Sequence, residues 1–128
     1  MVFGKVVGNV SKMEAELKKQ QFQLYLLRSI SKLNDHPFTQ MLFENEVTEY
    51  EYQETLDLLK RLEGQFEEWI EEGYLHFEPL LVQFVGALCE KLEPEKTMIA
   101  LRDEGMYKKM MNQFIKLHFK YKKNDYVM

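Results

Sequence analysis

Residues 74–94 run YLHFEPLLVQFVGALCEKLEP, the most apolar stretch of a chain that is otherwise charged and acidic. Between Leu80 and Leu92 the strongly polar side chains are Gln83, Glu90 and Lys91. A membrane span needs roughly 18–20 apolar residues in succession, and this run falls short of that. On a helical wheel Leu80, Leu81, Val82, Phe84, Val85, Leu88, Cys89 and Leu92 leave only a narrow polar wedge. A helix apolar almost all round is one enclosed by other helices. The expectation is therefore an all-α fold, a single compact multi-helix bundle of about six helices around a buried central helix at about 79–92.

The flanking sequence divides at prolines, glycines and capping signals. Ser11 precedes Glu14 by three residues, the spacing of a capping box, and predicts a first helix to about Leu33. Pro37 suits the first position of a short second helix ending near Asn45. Thr48 and Glu51 repeat the capping spacing and open a long third helix that stops at Gly73. Pro79 and Pro94 begin the fourth and fifth helices, Gly105 ends the fifth, and MYKKMMNQFIKLHFKYKK forms the sixth. No segment carries a convincing strand pattern. The division gives a flexible arm at 1–10, one helical domain at 11–123 and a frayed tail at 124–128. On the third helix Tyr52, Leu56, Leu59, Leu62, Phe66, Trp69 and Ile70 share the arc expected to face the core. On the sixth, Tyr107, Met110, Phe114, Leu117 and Tyr121 do the same, opposite Lys109, Lys116, Lys120 and Lys123.

A chain of 128 residues, 45% hydrophobic and 30% charged, has ordinary globular composition. Its net charge of −4 counts against a general nucleic-acid binder, since phosphate neutralisation is the main sequence-independent attraction. Cys89 is the only cysteine, which excludes an internal disulfide and a cysteine-only metal site. Its apolar neighbourhood suits a packing role. The N-terminus lacks the apolar run and cleavage site of a signal peptide. These features give a cytoplasmic expectation.

The first helix asks for a partner. Val10, Met13, Leu17, Gln20, Leu24 and Leu27 step by three and four, forming a seam of coiled-coil type. Phe22, Leu26, Ile30 and Leu33 form a second apolar set roughly opposite. A peripheral helix buries one stripe in its own core and leaves the other wet. Self-association through Met13, Leu17, Leu24 and Leu27 is the favoured outcome, and a helix sandwiched between two layers of its own chain is the alternative. Residues 44–72 hold eleven acids against Lys60 and Arg61, while the last helix is rich in lysine. These segments lie beside each other within one molecule, meet across an interface, or are simply two solvated faces.

No catalytic pattern is present. His36, His76 and His118 stand in no metal-binding spacing, and the Glu-x-x-His pairing of di-iron bundles is absent. EEWIEE offers paired carboxylates, yet at helical spacing they point to water, where separated pKa values do not arise. No phosphate-loop, dinucleotide or nucleophile-elbow motif occurs. No catalytic, cofactor-binding or metal residue is assigned, and no cofactor is expected. FTQMLFENEVTEYEYQETLDLLKRL has the outline of a helix-turn-helix, but its second helix opens with Glu49, Glu51 and Glu54, which repel phosphate. The basic surface of Lys109, Lys116, Lys120 and Lys123 is the remaining nucleic-acid candidate.

HPF at the second helix, EEGYLHFEPLLVQFVGALCEKL and MIALRDEGMYKKMMNQFI together resemble the YhaI-type family, small proteins of Bacillus-like Gram-positive bacteria. The similarity spans roughly Glu14 to Lys120 and leaves Met1 to Val10 outside it. The resemblance implies an all-helical cytoplasmic domain that assembles as a homo-oligomer, and it carries no activity, cofactor or site residue. The combined expectation is a non-catalytic, self-associating interaction or regulatory protein of unknown biochemical role, with itself as partner and an unknown protein partner possible in addition. The alternative is a nucleic-acid accessory protein using the basic face of the last helix.

Overall fold

The computed structural model describes the backbone of residues 2–30 and 35–127, and the side chains of residues 10–30 and 35–122. The fold is all-α. Among the described residues six helices follow in order: α1 (Val2–Ile30), α2 (Pro37–Glu44), α3 (Glu49–Glu72), α4 (Glu78–Ala87), α5 (Pro94–Glu104) and α6 (Lys108–Val127). No strand occurs among the described residues. The chain forms two units, Met1–Leu33 and Asn34–Met128.

The first unit is the 29-residue helix α1, about 44 Å long at 1.5 Å per residue. It begins at Val2, well ahead of the capping signal at Ser11, so the helix runs through the segment expected to be a flexible arm. Ser11 stands inside the helix and not at its start. Leu33, the last member of the second apolar stripe, lies outside the described residues.

The second unit is built on α4 and α5. Helix α5 packs on α2 and α6, and α4 packs on α3 and α6. Phe38, Leu59, Leu62, Phe66, Leu80, Phe84, Met98, Leu101, Met110, Met111 and Phe114 are almost fully buried and form one core. Its aromatic pairs are Phe66–Phe77, with ring centroids 4.7 Å apart, and Phe84–Phe114, at 5.7 Å. Both are tilted, the arrangement that the ring quadrupole favours over a face-to-face sandwich.

Helix boundaries follow the sequence signals closely in this unit. Thr48 and Glu51 make a reciprocal capping box, each side chain accepting the other residue's backbone N–H. Gly73 and Gly105 end α3 and α5 in the left-handed conformation. All three prolines sit in the first turn of a helix, where a missing N–H leaves no bond unmade.

Helix α4 departs from its expected form in two ways. It stops at Ala87, with Leu88 extended (φ −66°, ψ 141°), and does not continue to residue 92. It is also enclosed on one side only: Leu80, Leu81, Phe84 and Leu88 are buried, while Val82 is 69% and Val85 43% exposed. One cause explains both departures. Cys89 and Leu92 follow Val82 and Val85 by seven residues, so a continued helix would carry them onto the same outward face. Breaking the helix at Leu88 turns Leu92 into the core and leaves Cys89 half-buried.

The inward faces of α3 and α6 are also rotated from the expected arcs. On α3, Thr55 and Leu58 are buried and Tyr52 is exposed. The Thr55 hydroxyl donates to the Glu51 carbonyl at 2.8 Å, which permits its burial. On α6, Met111 and Ile115 join Met110 and Phe114 inside, while Tyr121 is exposed. Helix α6 contacts both α4 and α5, so two adjoining sides of it are covered.

Candidate functional site

The candidate association surface lies on α1. Every described side chain from Val10 to Ile30 is exposed. Met13, Leu17 and Leu24 are exposed by 71%, 55% and 51%, and Leu27 is exposed beside them. Val10, Met13, Glu14, Glu16, Leu17 and Gln20 line a shallow, almost wholly apolar depression along the helix. Charged side chains are sparse along this seam. Phe22, Leu26 and Ile30 are exposed on the opposite side, and Phe22 stacks on Tyr25 at 6.4 Å.

Within Asn34–Met128 the polar side chains hold helices together. Glu51 reaches from the start of α3 to the turn before α5, where Lys91 Nζ donates to its Oε1 at 2.7 Å. Lys91 also donates to the Glu46 carbonyl at 3.1 Å. The lysine and the Thr48 backbone N–H hold the Glu51 carboxyl down at about 2. Cys89 Sγ lies 3.6 Å from Glu51 Oε2 and completes this clasp. On the other side of α5, Glu95 Oε2 meets His118 Nε2 and Lys122 Nζ, each at 3.3 Å. Hydrogen bonding to Lys122, with the charge beside it, lowers the Glu95 pKa. The α2 N-terminus is capped from a distance. His36 makes no side-chain cap, and Glu104 of α5 accepts the Thr39 backbone N–H and hydroxyl, each at 3.1 Å.

None of these contacts was legible in sequence, because partners 23 to 65 residues apart share no local spacing. Only the Thr48–Glu51 half of the first clasp carried a signal. His118 is held by Glu95, while His36 and His76 are exposed.

The basic face of α6 is only partly displayed as a free surface. Lys116 and Lys120 are exposed, and the Lys123 side chain lies outside the described residues. Lys109 is exposed too, but it shares a recess with Glu63, Glu67 and Glu71 of α3. Burial and the neighbouring Glu67 push the Glu63 carboxyl up, with Lys109 opposing the shift. The acidic helix and the lysine-rich helix thus meet within one molecule at this point.

A cleft of about 610 Å³ lies between α2, α5 and the turn at Lys91. Its lining mixes apolar Pro37, Met41, Ile99 and Ala100 with charged Lys96 and Asp103. Two of its charged groups have structural duties: Lys91 is held by Glu51, and Glu93 accepts the N–H groups of Glu95 and Lys96 at the start of α5. Among the described residues no group of three His, Cys, Asp or Glu side chains is placed to hold a metal ion. Nor is any described helix long and apolar enough to cross a membrane.

The family match starts at the first residue of the α1 seam and ends at the histidine held by Glu95. Residues 10–118 match the family described as "Protein of unknown function (DUF1878)", and the chain belongs to that family.

Proposed function

We propose that the protein is a non-catalytic interaction or regulatory protein whose copies associate through α1. The carrying observation is the exposure of Val10, Met13, Leu17 and Leu24 along one seam of a 29-residue helix. Burying a side chain of this size contributes about 1.5–3 kcal/mol, so four of them make a substantial drive to associate. The free thiol of Cys89 and the absence of a membrane-crossing helix among the described residues favour the cytoplasm as its place. The shared pattern of helix breaks favours identifying the matched family with the YhaI-type proteins of Gram-positive bacteria. Light scattering coupled to size exclusion tests the association, with a mass above the 15.4 kDa of one chain expected at micromolar concentration. Leu17→Glu with Leu24→Glu is expected to return the mass to one chain while circular dichroism stays helical. A wild-type monomer, or a double variant that unfolds, would sink the reading.

A second reading, a nucleic-acid accessory protein, is favoured by the exposed row Lys109, Lys116 and Lys120. The carboxylates beside Lys109 weigh against it, since they oppose phosphate at that end of the row. Retardation of DNA or RNA that falls steeply with salt is its expected signature. No retardation at low salt would end it.

A further inference from the structure

We propose that the recess at the end of α3, walled by Trp69, Tyr74, His76 and Pro79, binds a small quaternary ammonium cation. The site lies within Asn34–Met128 and does not depend on association through α1. Its volume is about 360 Å³, inside the range of about 300–1,000 Å³ typical of small-ligand pockets. The Trp69 and Tyr74 rings meet at 64° with centroids 6.3 Å apart. Rings at such an angle make two walls of a corner, whereas a flat stack would cover one face of each. Tyr74 is 59% exposed and Trp69 half-buried, which leaves aromatic surface for a guest. The walls are set before any ligand arrives. Tyr74 N–H donates to the Trp69 carbonyl at 2.9 Å, and Gly73, at φ +85°, turns the chain ahead of it. Phe77 is buried against Phe66 and anchors the segment between His76 and Pro79. A guest therefore has little of the protein left to order on binding.

The chemistry of the walls selects the guest. A cation beside an indole or phenol face is drawn to the negative side of the ring quadrupole. Residues 62–90 hold seven Glu and no Lys or Arg. The last turn of α3 carries no basic side chain, so the negative end of its dipole stands uncompensated there. Lys109 of α6 shares a different recess with Glu63, Glu67 and Glu71. Glu68 and Glu72, both exposed, bracket Trp69 in the sequence. Residues 34–128 together hold nineteen Asp and Glu against eleven Lys and Arg. This field repels an anion. A metal ion is not served either, since no group of three ligating side chains occurs among the described residues. A primary ammonium would give up water that indole and proline cannot replace, because neither side chain accepts a hydrogen bond. A quaternary ammonium has no N–H to satisfy, and its methyl groups bury against the same rings that attract its charge.

Trp69 is the only tryptophan of the chain, so its emission reports on the recess directly. Titration of the full-length protein with choline, at pH 8 and fixed ionic strength, is expected to shift that emission saturably. Half-saturation is expected near about 1 mM. The neutral alcohol with a tert-butyl group in place of the trimethylammonium has the same shape without the charge, and is expected to bind about tenfold more weakly. Tyr74→Leu, at an exposed position, keeps apolar bulk and removes the aromatic face. It is expected to weaken choline binding about tenfold while circular dichroism stays helical, and Tyr74→Phe is expected to retain binding. Phosphatidylcholine vesicles separate a free solute from a lipid headgroup. They are expected to leave the emission unchanged, and a response to vesicles with none to choline overturns the proposal. So does a flat titration up to about 10 mM choline, or equal affinity for choline and its neutral analogue. Association through α1, which is read from mass, stands or falls separately.

Discussion

Gly73 and Gly105 stand at φ +85° and +84°, and each closes its helix with the same pair of hydrogen bonds. Gly73 N–H reaches the Ile70 carbonyl and Tyr74 N–H the Trp69 carbonyl, with the Trp69 and Tyr74 rings edge to face at 6.3 Å. Gly73→Ala forces a Cβ into the left-handed region and is expected to cost about 1 kcal/mol. It should appear as a lower urea midpoint with an unchanged slope. Glu46 and Tyr107 also have positive φ, 54° and 51°, yet nothing in their identity announces it. Glycine advertises such a position, whereas a glutamate held there by its surroundings does not. Glu51 shows the same limit. Its bond to Thr48 follows from a three-residue spacing, while its bond to Lys91 closes a span of 40 residues. Its folded pKa of about 2 lies below the ordinary 4.5, so its stabilising contribution is present above pH 4.5 and is lost as pH falls toward 2. Urea melts at pH 7 and pH 3 are expected to show a larger loss in wild type than in Glu51→Gln. Equal losses would remove Glu51 from the acid response.

At the scale of the element, α4 divides into two sides of unequal worth. Phe84 touches Phe114 and is fully buried, whereas Val82 and Val85 face outward. Phe84→Ala is expected to destabilise the fold by about 3–5 kcal/mol, and Val82→Ala by less than about 0.5 kcal/mol. Comparable losses at the two positions would mean that Val82 is covered within one chain. Residue chemistry alone could not make this distinction, because valine and phenylalanine are equally apolar to a wheel. What the wheel lacked was the end of the helix at Ala87. Once the chain turns there, the seven-residue echo of Val82 and Val85 at Cys89 and Leu92 is broken. The helix ends marked by glycine, proline and the Thr48 box were legible because those signals act within one turn. The end at Leu88 carries no such signal, since it is imposed by the core that Leu88 and Leu92 enter.

At the scale of the molecule, charge is divided between a basic first segment and an acidic remainder. If the basic first segment of one copy meets the acidic remainder of another, association weakens with salt. Raising ionic strength from about 0.05 M to about 0.5 M shortens the screening length several-fold. Sedimentation equilibrium is expected to show a weaker assembly at the higher salt. An assembly that strengthens instead would point to apolar burial alone. The seam of Met13, Leu17 and Leu24 was visible in the sequence as a stepped pattern, and these side chains are exposed in the structure. The pattern marks a surface to be buried without naming the partner, because a stepped apolar seam suits a copy of the same chain and a different chain alike. A last consequence comes from Glu104, which caps α2 from the far end of α5. An eight-residue helix whose first-turn amide depends on a carboxylate 65 residues away cannot hold its structure alone. The amides of residues 38–44 should exchange with deuterium only when α5 lets go, so the two helices open and close as one cooperative piece.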